Sequence, residues 1–215
     1  MNDRMKWDKY YDDNDVKPPW ESNTMFHLLP SILERNKLIR MNGYSNIIEL
    51  GSGRSQTAIW FGCNDYNATA VDFCEKAIED GKRLNNGDKV NWILCDILND
   101  DLFNSTLKKS DYDVVFDMQC FHVLKNINEK RSCQVIYDLL RKDGYAIIVV
   151  GANLDDIVTN EVKIGPVLLT RNQFINPFIS IGLELISIEL STFNVTDFYL
   201  TLDTIPKCWV GVFKK

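Results

Sequence analysis

The residues best suited to chemistry lie in the segment Asn46-Ile47-Ile48-Glu49-Leu50-Gly51-Ser52-Gly53-Arg54-Ser55. Gly51 and Gly53 can adopt a positive φ and let a ligand approach the backbone closely. Asp72 lies 21 positions after Gly51, at the end of the apolar run 68–71. A carboxylate there can accept hydrogen bonds from both hydroxyls of a ribose. The spacing therefore predicts a binding site for a nucleotide-like cofactor.

Alternating strands and helices must position these residues. The apolar patterns predict strands at about 46–50, 68–71, 90–95, 112–116, 146–150, 183–190 and 208–213. They predict helices at about 25–40, 56–61, 73–84, 129–140 and 171–181. The last two strands follow each other without a predicted helix and can pair antiparallel. We expect a doubly wound α/β fold whose seven-stranded, mostly parallel sheet ends in a C-terminal antiparallel hairpin.

Composition narrows the class of protein. The 215 residues fit a single domain, and 45% apolar with 25% charged residues is typical of a soluble globular protein. No apolar stretch is long enough to cross a bilayer, and the N-terminus lacks an apolar signal region. Six scattered cysteines without a C-x-x-C pair indicate reduced thiols and no metal site. We therefore expect a cytoplasmic protein without a membrane partner.

Charge narrows the class of partner. The formal net charge of −6 argues against a nucleic-acid partner, because such proteins need a basic face to neutralise phosphates. Two features argue against NAD as well. Gln56 stands where the third glycine of the dinucleotide fingerprint belongs, and Glu49 would face a pyrophosphate unfavourably. A carboxylate at that position favours a ligand with an ammonium and a sulfonium group, such as S-adenosylmethionine.

The motifs resemble those of class I S-adenosylmethionine-dependent methyltransferases: Glu49-Leu50-Gly51-Ser52-Gly53, the strand-end acid Asp72, and Cys95-Asp96-Ile97. The resemblance implies that Gly51, Ser52 and Gly53 pass the methionine part of the cofactor. It further implies that Asp72, followed by Phe73, holds the ribose. Asp96 would meet the adenine amino group, and Ile97 would lie against the adenine face. The family's sheet also ends in an antiparallel pair of strands.

The N-terminus narrows this resemblance. Trp7-Asp8-Lys9-Tyr10-Tyr11 followed by Pro18-Pro19-Trp20-Glu21 is similar to the N-terminal element of the thiopurine methyltransferase-like branch. In that branch the element folds over the cofactor, which implies a helical lid at 1–24, a core at 25–215, and cofactor contacts from Trp7, Tyr11 and Trp20. The chain has Asp117-Met118-Gln119 where thiopurine methyltransferases proper carry a D-R-G-type sequence, which argues against thiopurine as the substrate.

The end of the fourth strand supplies the candidate catalytic residues. Asp117 and His122 belong to a segment that is similar to the D-x-x-x-F-H element of related small-molecule methyltransferases. Asp117 is also a candidate cofactor contact. A neutral His122 could accept a proton from the substrate, and the alternative is a histidine that is hydrogen-bonded within the fold. Cys120 lacks an evident base and orienting partner, so a nucleophilic thiol is not expected.

The acceptor is less well defined than the cofactor. We expect methyl transfer to a small molecule through a sulfur, nitrogen or oxygen nucleophile. A protein lysine as the acceptor and a non-catalytic adenosyl-binding module remain as alternatives. Substrate specificity is expected in the loop at 151–169, which Gly165-Pro166 interrupts, and in the lid.

Overall fold

A computed structural model of the chain describes residues 7–11, 17–38, 45–84, 89–154, 167–201 and 205–215. The strands in these residues are β1 (Asn46–Leu50), β2 (Asn67–Asp72), β3 (Val90–Leu94), β4 (Tyr112–Met118), β5 (Leu140–Ala152), β6 (Leu168–Leu169), β7 (Glu184–Thr192) and β8 (Lys207–Lys214). The helices are α1 (Leu29–Arg35), α2 (Gln56–Cys63), α3 (Glu75–Leu84), α4 (Asp100–Thr106), α5 (Phe121–Leu139), α6 (Arg171–Ser180) and α7 (Asp197–Thr201).

The strands form one sheet in the order β3-β2-β1-β4-β5-β8-β7. The strands from β3 through β5 in this order are parallel, whereas β8 runs antiparallel to both β5 and β7. This confirms the predicted doubly wound sheet with its antiparallel C-terminal strands. The two-residue β6 pairs with β5 as an additional strand. The strand order reverses between β1 and β4, and open α/β sheets bind ligands at such a point, beyond the carboxyl ends of the strands.

Apolar side chains cover both faces of the sheet because successive strand residues point to opposite sides. On one face, Ile48 and Val115 pack with aromatic residues of α5 and α6. On the other face, Ile47 and Val114 pack with Phe26 and with Phe61 of α2. The sheet is thereby fixed between two helical layers. Among the described residues, no helix has the length and apolar character needed to cross a bilayer.

The predicted helix at 25–40 is shorter at its start than expected. α1 begins at Leu29, with Pro30 in its first turn, where a missing N–H costs nothing. The helix also ends earlier than predicted, at Arg35, and is followed by Asn36 as the C-cap and by Lys37 with a φ of 54°. Gly165-Pro166 of the predicted loop lies outside the described residues.

Three further predictions need correction. α5 begins at Phe121 rather than near 129 and contains a non-helical residue, Asn128 (φ −156°, ψ 86°), which interrupts its apolar period. The short helices α4 and α7 were not predicted, and α7 lies between the two final strands. The strand predicted at 146–150 is longer, since β5 begins at Leu140 and includes Asp143 with a φ of 63°.

Candidate functional site

The turn after β1 depends on both of its glycines. Gly51 and Gly53 have φ values of 59° and 54°, in the left-handed region that favours glycine. A Cβ on Gly51 would lie 2.4 Å from the Cys120 sulfur, and a Cβ on Gly53 would lie 2.7 Å from the Tyr11 hydroxyl. Gly51 is exposed, whereas Ser52 is buried and donates its N–H to the Val71 carbonyl at 3.0 Å. The backbone of Gly51 is thus open to a ligand.

Asp72 organises this turn from the end of β2. Its two carboxylate oxygens accept the N–H groups of Gly53 and Cys74, each at 2.8 Å. Burial raises the pKa of Asp72, although these hydrogen bonds oppose the rise. Phe73, the next residue, is half-buried. Asp72 therefore links the glycine turn to the start of α3 at the position predicted for a ribose ligand.

Glu49 lies at the other side of the turn, near the end of β1. Its carboxylate accepts hydrogen bonds from the Ser55 hydroxyl and from the Ala58 N–H (3.0 Å), so it caps the start of α2. Burial raises its pKa to about 8, and the nearby charges of Asp117 and Asp72 add to that rise. A bound cation would offset the free-energy cost of ionising this buried carboxyl group.

Asp117 completes a set of buried acids at the same edge of the sheet. It is 1% exposed, and one of its oxygens accepts the N–H groups of Cys120 (3.1 Å) and Phe121 (3.0 Å) at the start of α5. Burial raises the pKa of Asp117 to about 7, against the effect of both hydrogen bonds. We call Glu49, Asp72 and Asp117 the acid triad.

His122 lies just inside α5, where it is 3% exposed. Its Nδ1 accepts the Gly151 N–H at 3.3 Å, and burial lowers its pKa to about 4. The ring is therefore neutral and carries its proton on Nε2, so neither nitrogen is free to accept a proton. This is the contact expected of the hydrogen-bonded alternative. Burial also raises the pKa of the neighbouring Cys120 thiol, which keeps it protonated.

Asp96 and Ile97 follow β3 at the same edge. Asp96 is exposed, and its side chain accepts the Leu98 N–H at 3.0 Å in a local turn. Ile97 is 7% exposed and packs with the apolar residues that line the α5 face of the sheet. An exposed carboxylate can accept a hydrogen bond from the adenine amino group, and the apolar side chain beside it can contact the face of the ring.

Three N-terminal aromatic residues lie against one another, and Tyr11 lies against Gly53 of the glycine turn. The ring centroids of Trp7 and Trp20 are 5.2 Å apart, and Tyr10 lies 4.7 Å from Trp20, in edge-to-face arrangements. Tyr11 is 5% exposed and packs with Cys74 at the start of α3. Burial raises the pKa of Tyr11, and the negative charge of Asp72 adds to the effect. The structure therefore brings Tyr11 close to Asp72 of the acid triad.

Sequence reasoning missed the charged residues that attach this segment. Arg54 directly follows Gly53 and is 7% exposed, and its guanidinium contacts both Glu21 and Asp80 of α3. The signals were present, since Glu21 belongs to the P-W-E element and Asp80 has basic residues at i−4 and i+3 (Lys76 and Arg83). Nothing in a linear pattern, however, joins positions 21, 54 and 80.

Two surface clefts lie away from these residues. One, of about 560 Å³, is bounded by α5 and α6 and includes Glu129 and Asn176. The other, of about 280 Å³, lies at the amino edge of the sheet and includes Asp113 and Arg141. Neither contains a predicted site residue. The acid triad and the glycine turn, rather than either cleft, define the candidate site, because they bring perturbed carboxyl groups together with exposed backbone.

Part of the chain resembles a known protein family. Residues 48–148 match the family model described as a methyltransferase domain. No curated protein sequence matches the chain. The matched range includes Gly51, Gly53 and the whole acid triad. The three acids lie on β1, β2 and β4.

Several solved structures share the fold over nearly the whole chain. The 1,6-didemethyltoxoflavin-N1-methyltransferase of Burkholderia thailandensis, solved with 1,6-didemethyltoxoflavin and S-adenosylhomocysteine, is 17% identical (99% of this chain and 86% of that one, TM-score 0.71). An S-adenosylmethionine-dependent methyltransferase of Anabaena variabilis is 15% identical (100% and 95%, TM-score 0.70). A protein solved in work on the conversion of a disulfide bond into a thioacetal group during echinomycin biosynthesis is 16% identical (99% and 91%, TM-score 0.76).

The domain match spans residues 48–148, and the fold is that of S-adenosylmethionine-dependent methyltransferases. The identities are low, so the structural likeness shows the fold and leaves the acceptor undetermined. The narrower resemblance to the thiopurine methyltransferase-like branch stays a prediction.

Proposed function

We propose that the chain transfers a methyl group from S-adenosylmethionine to a small-molecule acceptor. The observation that carries this proposal is the acid triad, three buried carboxyl groups beside an exposed glycine turn at the point where the strand order reverses. Such a site disfavours anionic ligands and favours a cationic one, since a nearby positive charge offsets the cost of ionising buried acids.

The described residues fit this cofactor. Gly51 offers exposed backbone to the methionine part, and Glu49 offers a carboxylate to its ammonium group. Asp72 has lone pairs beyond those used by its two N–H partners, so it can still accept hydrogen bonds from ribose hydroxyls. Asp96 and Ile97 supply the polar and apolar contacts for adenine. Trp7, Tyr11 and Trp20 would cover the cofactor from the N-terminal side.

The cofactor, when bound, supplies a methyl group that its sulfonium already activates. The contribution of the chain is to align the acceptor in line with that methyl group and to exclude water. His122 has no nitrogen free for a general-base role, and no such role is proposed for it. Asp117 is the better candidate for a proton acceptor, because its pKa of about 7 lies near neutral pH. A thiol-like acceptor would need the least assistance.

The small-molecule acceptor is favoured by the neighbours, of which one is named for methylating a small heterocycle and another was solved in work on sulfur chemistry. A protein lysine is the second candidate, and a non-catalytic adenosyl-binding module is the third. We further propose one domain over 1–215 and a cytoplasmic location. All six cysteines are free thiols, which suits a reducing compartment.

Thermal melting with excess ligand tests the cofactor. At about 100 times its dissociation constant, a ligand stabilises the native state by roughly 2.7 kcal/mol, which raises the melting temperature by about 5–10 °C. We expect this shift with S-adenosylmethionine and S-adenosylhomocysteine and none with NAD. The absence of a shift with both adenosyl compounds would contradict the proposed function.

Two variants test the residue assignment. Asp72→Ala should weaken cofactor binding by at least a hundredfold, because it removes the ribose acceptor and disorders the glycine turn. Asp113→Ala is the matched control: Asp113 is also buried and accepts a backbone N–H, from Asn46 at 2.8 Å, but at the amino edge of the sheet. It should lower stability and leave the affinity unchanged.

A labelled methyl group tests the acceptor. Incubating the protein and labelled S-adenosylmethionine with cell extract, and then separating small molecules from protein, should place the label in the small-molecule fraction. Label in the protein fraction would favour the lysine alternative. Binding without transfer to either fraction would favour the non-catalytic module.

A further inference from the structure

Arg131, on α5, reaches the turn that joins β3 to α4 (residues 95–99). Its side chain is 14% exposed, and its Nη2 lies 3.4 Å from the Ile97 carbonyl oxygen and 2.9 Å from the Asp100 carboxylate. Its guanidinium carbon lies 4.7 Å from the centre of the buried Phe103 ring. One arginine therefore contacts the β3–α4 turn, the first residue of α4 and the aromatic side chain of that helix.

The break in α5 sets the direction of this side chain. Asn128 has extended backbone angles (φ −156°, ψ 86°), and its side-chain oxygen accepts the Arg131 N–H at 3.1 Å. This is the contact that an N-cap residue makes with the third residue of a helix, so the part of α5 after Asn128 starts as a new helix. Because the helical phase restarts there, residues 121–127 do not dictate the direction in which Arg131 points.

A stabilising role does not explain this arrangement well. The Nε of Arg131 is buried and has no hydrogen-bond partner within the part of the chain that the structure describes, so the cost of removing it from water is not offset. Asp100 is 74% exposed, and an ion pair with so exposed a carboxylate contributes little. Replacing a buried charged group by an apolar side chain of similar size is often neutral for stability. The role of Arg131 is better explained by what the β3–α4 turn holds.

The β3–α4 turn carries Asp96 and Ile97, the two residues proposed to contact adenine. The peptide group between Ile97 and Leu98 is held from both sides. Its N–H donates to the Asp96 carboxylate at 3.0 Å, and its carbonyl oxygen accepts the contact from Arg131. Arg131 therefore restrains the peptide group to which the Asp96 carboxylate is itself hydrogen-bonded.

We propose that Arg131 is a positioning residue for the adenine end of the cofactor. By fixing the peptide group between Ile97 and Leu98, it holds the Asp96 carboxylate in place for the adenine amino group and the Ile97 side chain in place for the ring. This rests on the proposed function. Arg131 acts through the β3–α4 turn, and the break at Asn128 belongs to the same device because it directs Arg131 to that turn.

Calorimetric titration of the full chain with 5′-methylthioadenosine and 5′-methylthioinosine tests this role, because the second compound has an oxo group in place of the adenine amino group. We expect the wild-type protein to bind the adenosine compound about tenfold more tightly, since Asp96 accepts a hydrogen bond from the amino group. In Arg131→Met, which keeps an apolar contact with Phe103 but cannot donate to Ile97, this preference should fall about fivefold. The melting temperature of the free protein should change by less than about 3 °C.

A second variant and a control accompany this substitution. Asp100→Asn keeps the buried arginine and changes only an exposed carboxylate, and it should lower the preference about threefold because the guanidinium loses its charged partner. Lys109→Met is the matched control. Lys109 also lies near the Phe103 ring, at 5.6 Å, but pairs with Asp138 at 3.2 Å instead of contacting the β3–α4 turn. This control should leave the preference unchanged.

The ratio of the two affinities is a readout that a merely structural role would not move, because a general loosening of the fold weakens both ligands alike. An unchanged ratio in Arg131→Met and Asp100→Asn, or a wild-type protein without the preference, would overturn the proposal. Either result leaves the proposed function intact, provided that the wild-type protein binds S-adenosylhomocysteine. Failure of the wild-type protein to bind S-adenosylhomocysteine would overturn both.

Discussion

The affinity for S-adenosylmethionine should rise with pH, because the acid triad must ionise around the cationic cofactor. Glu49 has a pKa of about 8 and Asp117 a pKa of about 7, both raised by burial. In the free protein at pH 6, both groups are therefore mostly protonated. If binding requires ionised Glu49, the apparent dissociation constant contains the factor 1 + 10^(8 − pH), which falls about ninefold between pH 6 and pH 7. If binding also requires ionised Asp117, the apparent dissociation constant falls by a further factor of about five over the same pH range.

The assay is isothermal titration calorimetry between pH 6 and 7.5, a range in which an α-amino group remains mostly protonated. Repeating the titrations in two buffers of different ionisation enthalpy counts the released protons, which should approach one or more per cofactor bound. 5′-Methylthioadenosine is the control ligand, since it lacks both the ammonium and the sulfonium group. Its affinity should vary little over this range.

Glu49→Gln identifies the group responsible. A glutamine oxygen can still accept the hydrogen bonds from Ser55 and Ala58, so the cap of α2 should persist. The variant should bind S-adenosylmethionine more weakly. Its affinity should change at most about fivefold between pH 6 and pH 7, which is the part of the pH dependence that arises from Asp117. Equal wild-type affinities at pH 6 and pH 7, or a pH dependence unchanged in Glu49→Gln, would refute the reasoning.

The same raised pKa values predict the pH dependence of stability. A carboxyl group whose pKa is higher in the native state than in the unfolded state binds more protons when folded. Stability is then greatest below the unfolded value of 4.5 for Glu49 and falls as pH rises towards 8. For each such proton, the free energy of unfolding falls by about 1.4 kcal/mol per pH unit, which lowers the melting temperature by about 3–6 °C. A melting temperature of the free protein that rises between pH 5 and pH 8 would contradict this prediction.

Three further substitutions test other contacts. Gly51→Ala should lower both the melting temperature and the cofactor affinity, because the new methyl group would lie 2.4 Å from the Cys120 sulfur and 2.5 Å from its Cβ. Adding Cys120→Gly removes both atoms and should restore part of each loss. No recovery in the double variant would exclude that contact as the cause. Asn194→Ala should cost about 2–3 kcal/mol and lower the melting temperature by about 4–12 °C, since it removes the part-buried hydrogen bonds to the Met25 carbonyl (2.7 Å) and the His27 N–H (3.1 Å). By contrast, Asn64→Ala, which loses an exposed 2.8 Å bond to Trp60, should change the melting temperature little. Phe178→Ala should cost about 3–5 kcal/mol by opening a cavity beside Phe121 and Phe213, with cofactor affinity at 25 °C nearly unchanged.

The sequence predicted those parts of the fold that depend on local pattern. β1 and β2 were located to within a residue because apolar runs end there at an acid or a glycine turn. α4 was missed because its seven residues carry one buried apolar side chain, Phe103, and its start is marked only by the capping residue Asn99. The first turns of α5 were missed because the non-helical Asn128 shifts the phase of the apolar pattern. Periodicity fails where an element is too short or too irregular to repeat.

The candidate site was predictable in so far as topology alone brings its residues together. Acids at the ends of parallel strands must meet at one edge, so Asp72, Asp96 and Asp117 could be grouped from their strand positions. The protonation of the acid triad could not be predicted in this way, because it depends on burial by side chains from distant segments. Likewise, the role of His122 depends on whether the Gly151 N–H reaches it, and no spacing rule gives that contact.

The N-terminal segment shows why contacts must be added to motifs. Its aromatic residues are its most conspicuous feature, yet an aromatic cluster is compatible with a fixed core as well as with a movable cover. The distinction comes from the charged contacts: a tight, fully buried pairing of Arg54 with Asp80 on one side, and a long, shared contact with Glu21 on the other. Hydrogen bonds from Thr196 to the Pro19 carbonyl and from Asn194 to the Met25 carbonyl hold the chain on both sides of Glu21, so this part of the segment is attached to the core. Contacts between residues that are far apart in the sequence, which no motif contains, therefore decide how this segment is held.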